Sequence, residues 1–155
     1  TLLYEAETPY NYVQVVEVAE GMVVSRQPPG TRLLLLNEGQ GVHSVYHPEV
    51  LKTGATWDMF LAAPYFNPPP YLPRNVDRIA VIGLAGGTIA RQHTAVYGPI
   101  QIDGIEIDPG IVDAGRRYFG MTMPNLHVIV DDGRYALARL EGGYDLIAVD
   151  AYRVP

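Results

Sequence analysis

Glu106, the pair Asp131 and Asp132, and Asp150 each follow a short apolar run, and Gly83, Gly86 and Gly87 punctuate the turn that follows another, Arg78 to Ile82. Glycines in such a turn let the backbone bend sharply and approach a ligand where a Cβ would clash. An acid about 20 residues farther on, at the tip of the next strand, can accept hydrogen bonds from both hydroxyls of a ribose, and Glu106 stands there. The spacing therefore marks half of a nucleoside-binding site. Carboxylates at the other tips can attract a cation, orient it or take its proton. Each acid also has a plainer role to weigh. Asp132 is placed to cap the helix that follows it, Asp150 to begin a turn and Glu106 to be a surface acid. Asp108, before Pro109, reads more readily as a helix cap than as a ligand contact.

These residues need a parallel sheet to bring them together. From residue 77 onward the pattern alternates: strand 78–82, helix 87–96, strand 100–106, helix 109–119, strand 126–130, helix 133–140 and strand 144–150. Alternation of this kind implies parallel strands joined by right-handed crossovers, with ligands beyond the carboxyl ends of the strands. Ile111, Val112, Tyr118 and Phe119 fall on one face of the helix over 109–119. Before residue 50 the signals are those of a small antiparallel β unit: Tyr12 to Val18, Met22 to Ser25, Arg32 to Leu36 and Val42 to Tyr46, separated by turn-rich stretches. Trp57 to Ala63 predicts a short helix. The proline-rich run Asn67 to Pro73 predicts a stiff, extended connection. Two domains are expected, residues 1–70 and 71–155.

Composition removes several classes of function. The 155 residues carry a formal net charge of −6, which argues against a nucleic-acid binder, whose phosphate contacts need clustered Lys and Arg. The absence of cysteine excludes disulfides, thiol catalysis and thiolate metal sites, and is consistent with the cytoplasm. No apolar run approaches the roughly 20 residues that span a bilayer, so no membrane partner is expected. His43, His47, His93 and His127 show no spacing that predicts a metal site. Trp57, Met59 and Phe60 read as core or interface more readily than as a substrate gate. The chain begins at Thr1 rather than Met and ends at Pro155 just after a predicted strand, so a longer parent protein or a homo-oligomer that covers that open edge is expected.

At these positions the chain resembles the spermidine synthase family, the polyamine aminopropyltransferases. Glu7-Thr-Pro-Tyr10, Leu35-Leu-Asn-Glu-Gly39 through His43-Ser44, and Val45-Tyr46-His47 are similar to segments of that family's N-terminal half. The most specific matches are Ile82 to Thr88, Glu106-Ile-Asp108, Asp131-Asp-Gly-Arg134 and Tyr144 to Asp150. The resemblance implies an S-adenosylmethionine-dependent, methyltransferase-like Rossmann sheet, of which the chain holds the first four strands in the order 3-2-1-4, preceded by the small antiparallel domain. It implies that Gly83, Ala85, Gly86 and Gly87 pass beside the tail and sulfonium of a nucleoside donor. Glu106 would then hold the ribose, Asp132 would accept from the adenine amino group with Asp131 beside it, and Asp150 would be the catalytic acid. Tyr10, His43, Tyr46 and Tyr152 would border the substrate. The co-substrate is decarboxylated S-adenosylmethionine or S-adenosylmethionine, no cofactor is held covalently, and the acceptor is a small amine such as putrescine.

Two departures keep other readings open. The family's glycine run carries an aspartate where this chain has Ala85, and that aspartate would engage the amine of a decarboxylated tail. After Asp150 the family has Ser-Ser-Asp-Pro, whereas Ala151-Tyr152-Arg153-Val154 follows here, and a guanidinium suits an anion rather than a diamine. Aminopropyl transfer thus competes with methyl transfer from the intact donor, and with a non-catalytic nucleoside-binding or assembly module.

Overall fold

The computed structural model describes residues 1–21, 27–37 and 41–151. The expected strand at Met22 to Ser25 and the candidate Tyr152 lie outside the described residues. Two four-stranded sheets make up the fold. In the first, β1 (Leu2–Glu7), β2 (Tyr12–Glu17), β3 (Arg32–Leu36) and β4 (Gly41–Tyr46) form an antiparallel meander in chain order. β1 was not legible in the sequence, because its burial does not follow a clean period of two. A register shift between Leu2 and Tyr4 bulges the strand at Leu3.

The second sheet is parallel. It is built from β5 (Arg78–Ile82), β6 (Gln101–Glu106), β7 (Leu126–Val130) and β8 (Leu146–Val149) in the order β7-β6-β5-β8. This is the 3-2-1-4 order of a Rossmann-like sheet. Helices α2 (Thr88–Tyr97), α3 (Pro109–Tyr118) and α4 (Gly133–Arg139) are the crossovers. α3 starts as its sequence dictates: Pro109 occupies the first turn and the Asp108 carboxylate accepts the Gly110 N–H at 2.9 Å. α1 (Trp57–Phe60) is shorter than expected, since the chain turns into a 3-10 helix over Ala63–Phe66 with Pro64 in its first turn. The proline-rich stretch is likewise not extended throughout, and forms a second 3-10 turn at Pro73–Asn75.

The two sheets share their cores rather than standing apart. Val45 of β4 and Trp57 of α1 pack in one cluster with Ile79, Val81, Ile102 and Val112. Val13, Val15, Leu34 and Leu36 of the meander pack on Ile111, Ala114 and Phe119. Hydrogen bonds then fix the angle between the sheets. The buried Asp108 carboxylate accepts from Thr8 Oγ1 at 2.6 Å and from Asn11 Nδ2 at 3.0 Å. Thr88 Oγ1 accepts the Val45 N–H at 3.0 Å and donates to the Val45 carbonyl at 3.1 Å. The meander is thereby sutured to the glycine turn and to the loop after β6, the two places where a nucleoside site was expected.

Candidate active site

A cleft of about 1440 Å³ opens where the meander meets the carboxyl ends of the parallel strands. Its walls include Gly83 and Ala85 of the turn, Glu106 after β6, Asp131 and Asp132 after β7, and Asp150 after β8. The register explains why these tips coincide. Ile82 pairs with both Ile105 and Val149, and Glu106 pairs with Val130. The Asp150 N–H donates to the Ile82 carbonyl at 2.9 Å.

The glycine turn owes its shape to close approach. Gly83 has φ +82°, and a Cβ there would sit 2.8 Å from the Asp150 carbonyl oxygen and 2.9 Å from the Ala151 nitrogen. Backbone atoms cannot step aside cheaply, so only glycine lets β5 and β8 close on the cleft. Gly86 and Gly87 act on the other side of the turn. They face Ser44 and Met121 and are not among the cleft-lining residues, so their part is to seat the turn. Ser44 Oγ accepts the Gly86 N–H at 2.8 Å. Ala85, with φ +49°, holds a left-handed conformation that costs a residue with a side chain roughly 1–2 kcal/mol. Its N–H donates to Glu106 Oε2 at 2.9 Å, which fixes it there.

Glu106 is buried at 7% exposure and its other oxygen, Oε1, accepts the Asp108 N–H at 3.1 Å. Burial pushes its carboxyl above the ordinary range, while the Ala85 and Asp108 N–H groups pull it back. A carboxylate offers about four acceptor positions, so capacity remains for the hydroxyls of a ribose. Asp131 and Asp132 are more engaged. Asp131 accepts the Asp132 N–H at 2.8 Å and pairs with Arg139. Asp132 caps α4 by accepting the Arg134 N–H at 2.9 Å, and that bond is the main reason its carboxyl lies below the usual value. Asp132 lines the cleft and caps the helix at once.

Asp150 is half-buried at the tip of β8. Burial raises its carboxyl; the Trp57 indole and the charge of His43 act in the opposite direction. Trp57 Nε1–H donates to Asp150 Oδ2 at 2.9 Å. His43 also lines the cleft, and burial lowers its imidazole below the usual histidine value. A bulge puts it there. Leu34 pairs with Ser44 and Leu35 with Val42, so His43 is the extra residue of β4, and bulges beside sites re-aim a side chain in this way.

The remaining aromatic candidates separate. Tyr10 lines the cleft mouth at 53% exposure. Tyr46 is not brought to the cleft: its ring lies 4.7 Å from the Arg91 guanidinium, edge-on to Phe119 at 6.4 Å, and against Gly120. The bulge at His43 leaves Tyr46 on the inter-sheet side of its strand. Trp57, read from the sequence as core, is both core and a ligand of Asp150, and nothing local in the sequence tells which strand tip its ring meets. Among the described residues no cluster of His, Cys, Asp and Glu could hold a metal ion.

No protein-family model matches the chain. Among curated proteins, a probable polyamine aminopropyl transferase of Bifidobacterium longum (strain NCC 2705) is 36% identical over 152 residues, which is 98% of this chain and 30% of the relative. A polyamine aminopropyltransferase of Vibrio vulnificus (strain CMCP6) is 36% identical over 98 residues, 61% of this chain and 31% of the relative. Among solved structures, a probable spermidine synthase from Corynebacterium glutamicum matches with a TM-score of 0.72 at 18% identity, over 96% of this chain and 52% of that one. The spermidine synthase from Thermotoga maritima matches with a TM-score of 0.69 at 16% identity, over 97% and 47%. The chain spans about a third of the length of the curated relatives it matches. Along that span it belongs to the spermidine synthase family, the polyamine aminopropyltransferases.

Proposed function

We propose that the cleft binds decarboxylated S-adenosylmethionine and that the chain carries the aminopropyl-transfer chemistry of its family, with an amine such as putrescine as acceptor. The observation that carries this reading is the placing of two carboxylates, the buried Glu106 and the half-buried Asp150, on the tips of strands either side of Gly83, facing one cleft. Glu106 would take the ribose hydroxyls, Asp132 the adenine amino group, and the backbone from Gly83 to Ala85 the side of the sulfonium. A structural neighbour at TM-score 0.69 and 16% identity is a spermidine synthase in complex with the transition state analogue AdoDATO, which supports an adenosyl donor.

The acceptor arrives as an ammonium, because the unperturbed pKa of a primary amine is about 10.4. Asp150 attracts it and takes one proton. The freed nitrogen lone pair forms a C–N bond to the methylene beside the sulfonium, the C–S bond breaks, and its electron pair stays on sulfur to give a neutral thioether. No acid is needed for the leaving group. Most of the acceleration then comes from holding nitrogen, carbon and sulfur in line.

Ala85 supports a second reading. Its side chain offers no carboxylate to an aminopropyl ammonium, so selection against the intact donor is weaker than an acid there would give. Mass spectrometry separates the two. Incubation with the decarboxylated donor and putrescine is expected to give spermidine and methylthioadenosine. Methylated amine from S-adenosylmethionine, without spermidine from the decarboxylated donor, would favour methyl transfer instead.

A further inference from the structure

Trp57 is the chain's single tryptophan, and it stands on α1, a helix of four residues that could not hold its shape alone. The next residue supplies the mount. The Asp58 carboxylate accepts from Thr53 N–H at 3.0 Å, Thr53 Oγ1 at 2.8 Å, Gly54 N–H at 2.8 Å and Gln92 Nε2 at 2.6 Å. Burial pushes Asp58 up, but these bonds outweigh it and leave its carboxyl below the ordinary value. They tie α1 to the loop before it and to α2, the helix that springs from the glycine turn.

On that mount the Trp57 ring is 9% exposed and packs with Val45 and Val81. A buried indole N–H needs an acceptor, and a backbone carbonyl would have sufficed. Here the acceptor is the carboxylate of Asp150 at 2.9 Å. The contact joins a rigidly held donor to the one strand-tip acid that the transfer reading makes the base.

We propose that Trp57 is the positioning residue for Asp150: its indole N–H holds Oδ2, fixes the plane of the carboxylate and leaves Oδ1 turned to the amine acceptor. The catalytic half of this assignment rests on the aminopropyl-transfer reading, and the hydrogen-bond half does not. The acceptor's proton passes to Oδ1 and from there to water, while Oδ2 stays with the indole throughout. His43 on β4 is the other group whose charge acts on Asp150.

One tryptophan gives one indole N–H resonance in an isotope-labelled sample, and its chemical shift against pH reads the state of its acceptor. In the wild-type chain it is expected to move in one step as Asp150 ionises, with the midpoint above the ordinary carboxylate value. The step is expected to vanish in Asp150→Asn, and to remain, at higher pH, in His43→Gln. Trp57→Phe keeps a ring in the core and removes the donor. With decarboxylated donor and putrescine it is expected to lower kcat roughly tenfold or more, to leave the donor KM within about twofold, and to move the acidic limb of the pH profile upward. An indole resonance that ignores pH, or that keeps its step in Asp150→Asn, overturns the proposal. So does a Trp57→Phe chain with wild-type kcat and an unmoved acidic limb. A wild-type chain that shows the indole step and no turnover supports the Trp57 to Asp150 bond and overturns the transfer reading instead.

Discussion

Asp150 and Glu106 are both carboxylates raised by burial, yet their surroundings suit them to different tasks. Glu106 is braced by the Ala85 and Asp108 N–H groups, which favour its ionised form and leave it an acceptor for neutral hydroxyls. Among the described residues Asp150 takes its side-chain hydrogen bond from Trp57, with His43 nearby, and its second oxygen suits a cation. Asp150→Asn is expected to lower turnover by about 10²- to 10⁴-fold, the usual range for a general base, with donor affinity unchanged by calorimetry. On the proposed transfer reading Asp150 works ionised, so the rate is expected to fall as pH drops through a midpoint above the ordinary carboxylate value. The acids were legible in the sequence because each ends an apolar run whose extent is itself legible. Trp57 was not, since its partner lies 93 residues away, and Tyr46 was misplaced because a single bulge residue decides which way a strand's side chains turn.

At the level of elements, the glycine turn and β8 form one device. The turn sits under the Asp150 backbone, and Ser44 and Thr88 hold it against β4. Gly83→Ala would force a Cβ to within 2.8 Å of the Asp150 carbonyl oxygen at φ +82°. It is expected to cost about 2 kcal/mol or more in denaturant unfolding and to lower turnover beyond that loss, since the strand tip carrying Asp150 must shift. The alternation of strands and helices after residue 77 was readable to within a residue or two at most boundaries, because periods of two and of 3.6 are distinct and Asp108-Pro109 marks a helix start. The stretch from Trp57 to Asn75 was less so. Its prolines announce a break but do not say that the chain will fold back in 3-10 turns and carry an aromatic ring to the strand tips.

Across the whole molecule, the cleft depends on two sheets meeting at a fixed angle, with polar contacts securing both ends of the parallel sheet. Near the cleft, Asp108 ties α3 to Thr8 and Asn11. At the opposite end, the Asp103 carboxylate, 1% exposed, accepts from Arg78 Nη2 at 3.0 Å and from the Tyr144 hydroxyl at 2.9 Å, with His127 Nδ1 at 3.0 Å. Burial pushes Asp103 up, but these partners outweigh it and hold its carboxyl below the ordinary value. Stability from a depressed carboxyl is present above the unfolded value and is lost as pH falls through the folded one. Asp103→Asn is therefore expected to cost about 2–3 kcal/mol at neutral pH. The gap to wild type should close in acid, as read by denaturant unfolding at several pH values.

The central question is whether the cleft is a cradle for an adenosyl donor. Isothermal calorimetry of decarboxylated S-adenosylmethionine, titrated into the wild-type chain and into Glu106→Gln, tests this most directly. Saturable binding to one site per chain is expected, weakened roughly 10- to 100-fold in Glu106→Gln, as the loss of hydrogen bonds to a charged group would give. Absence of binding to the wild-type chain, or equal affinity in the two proteins, would contradict it.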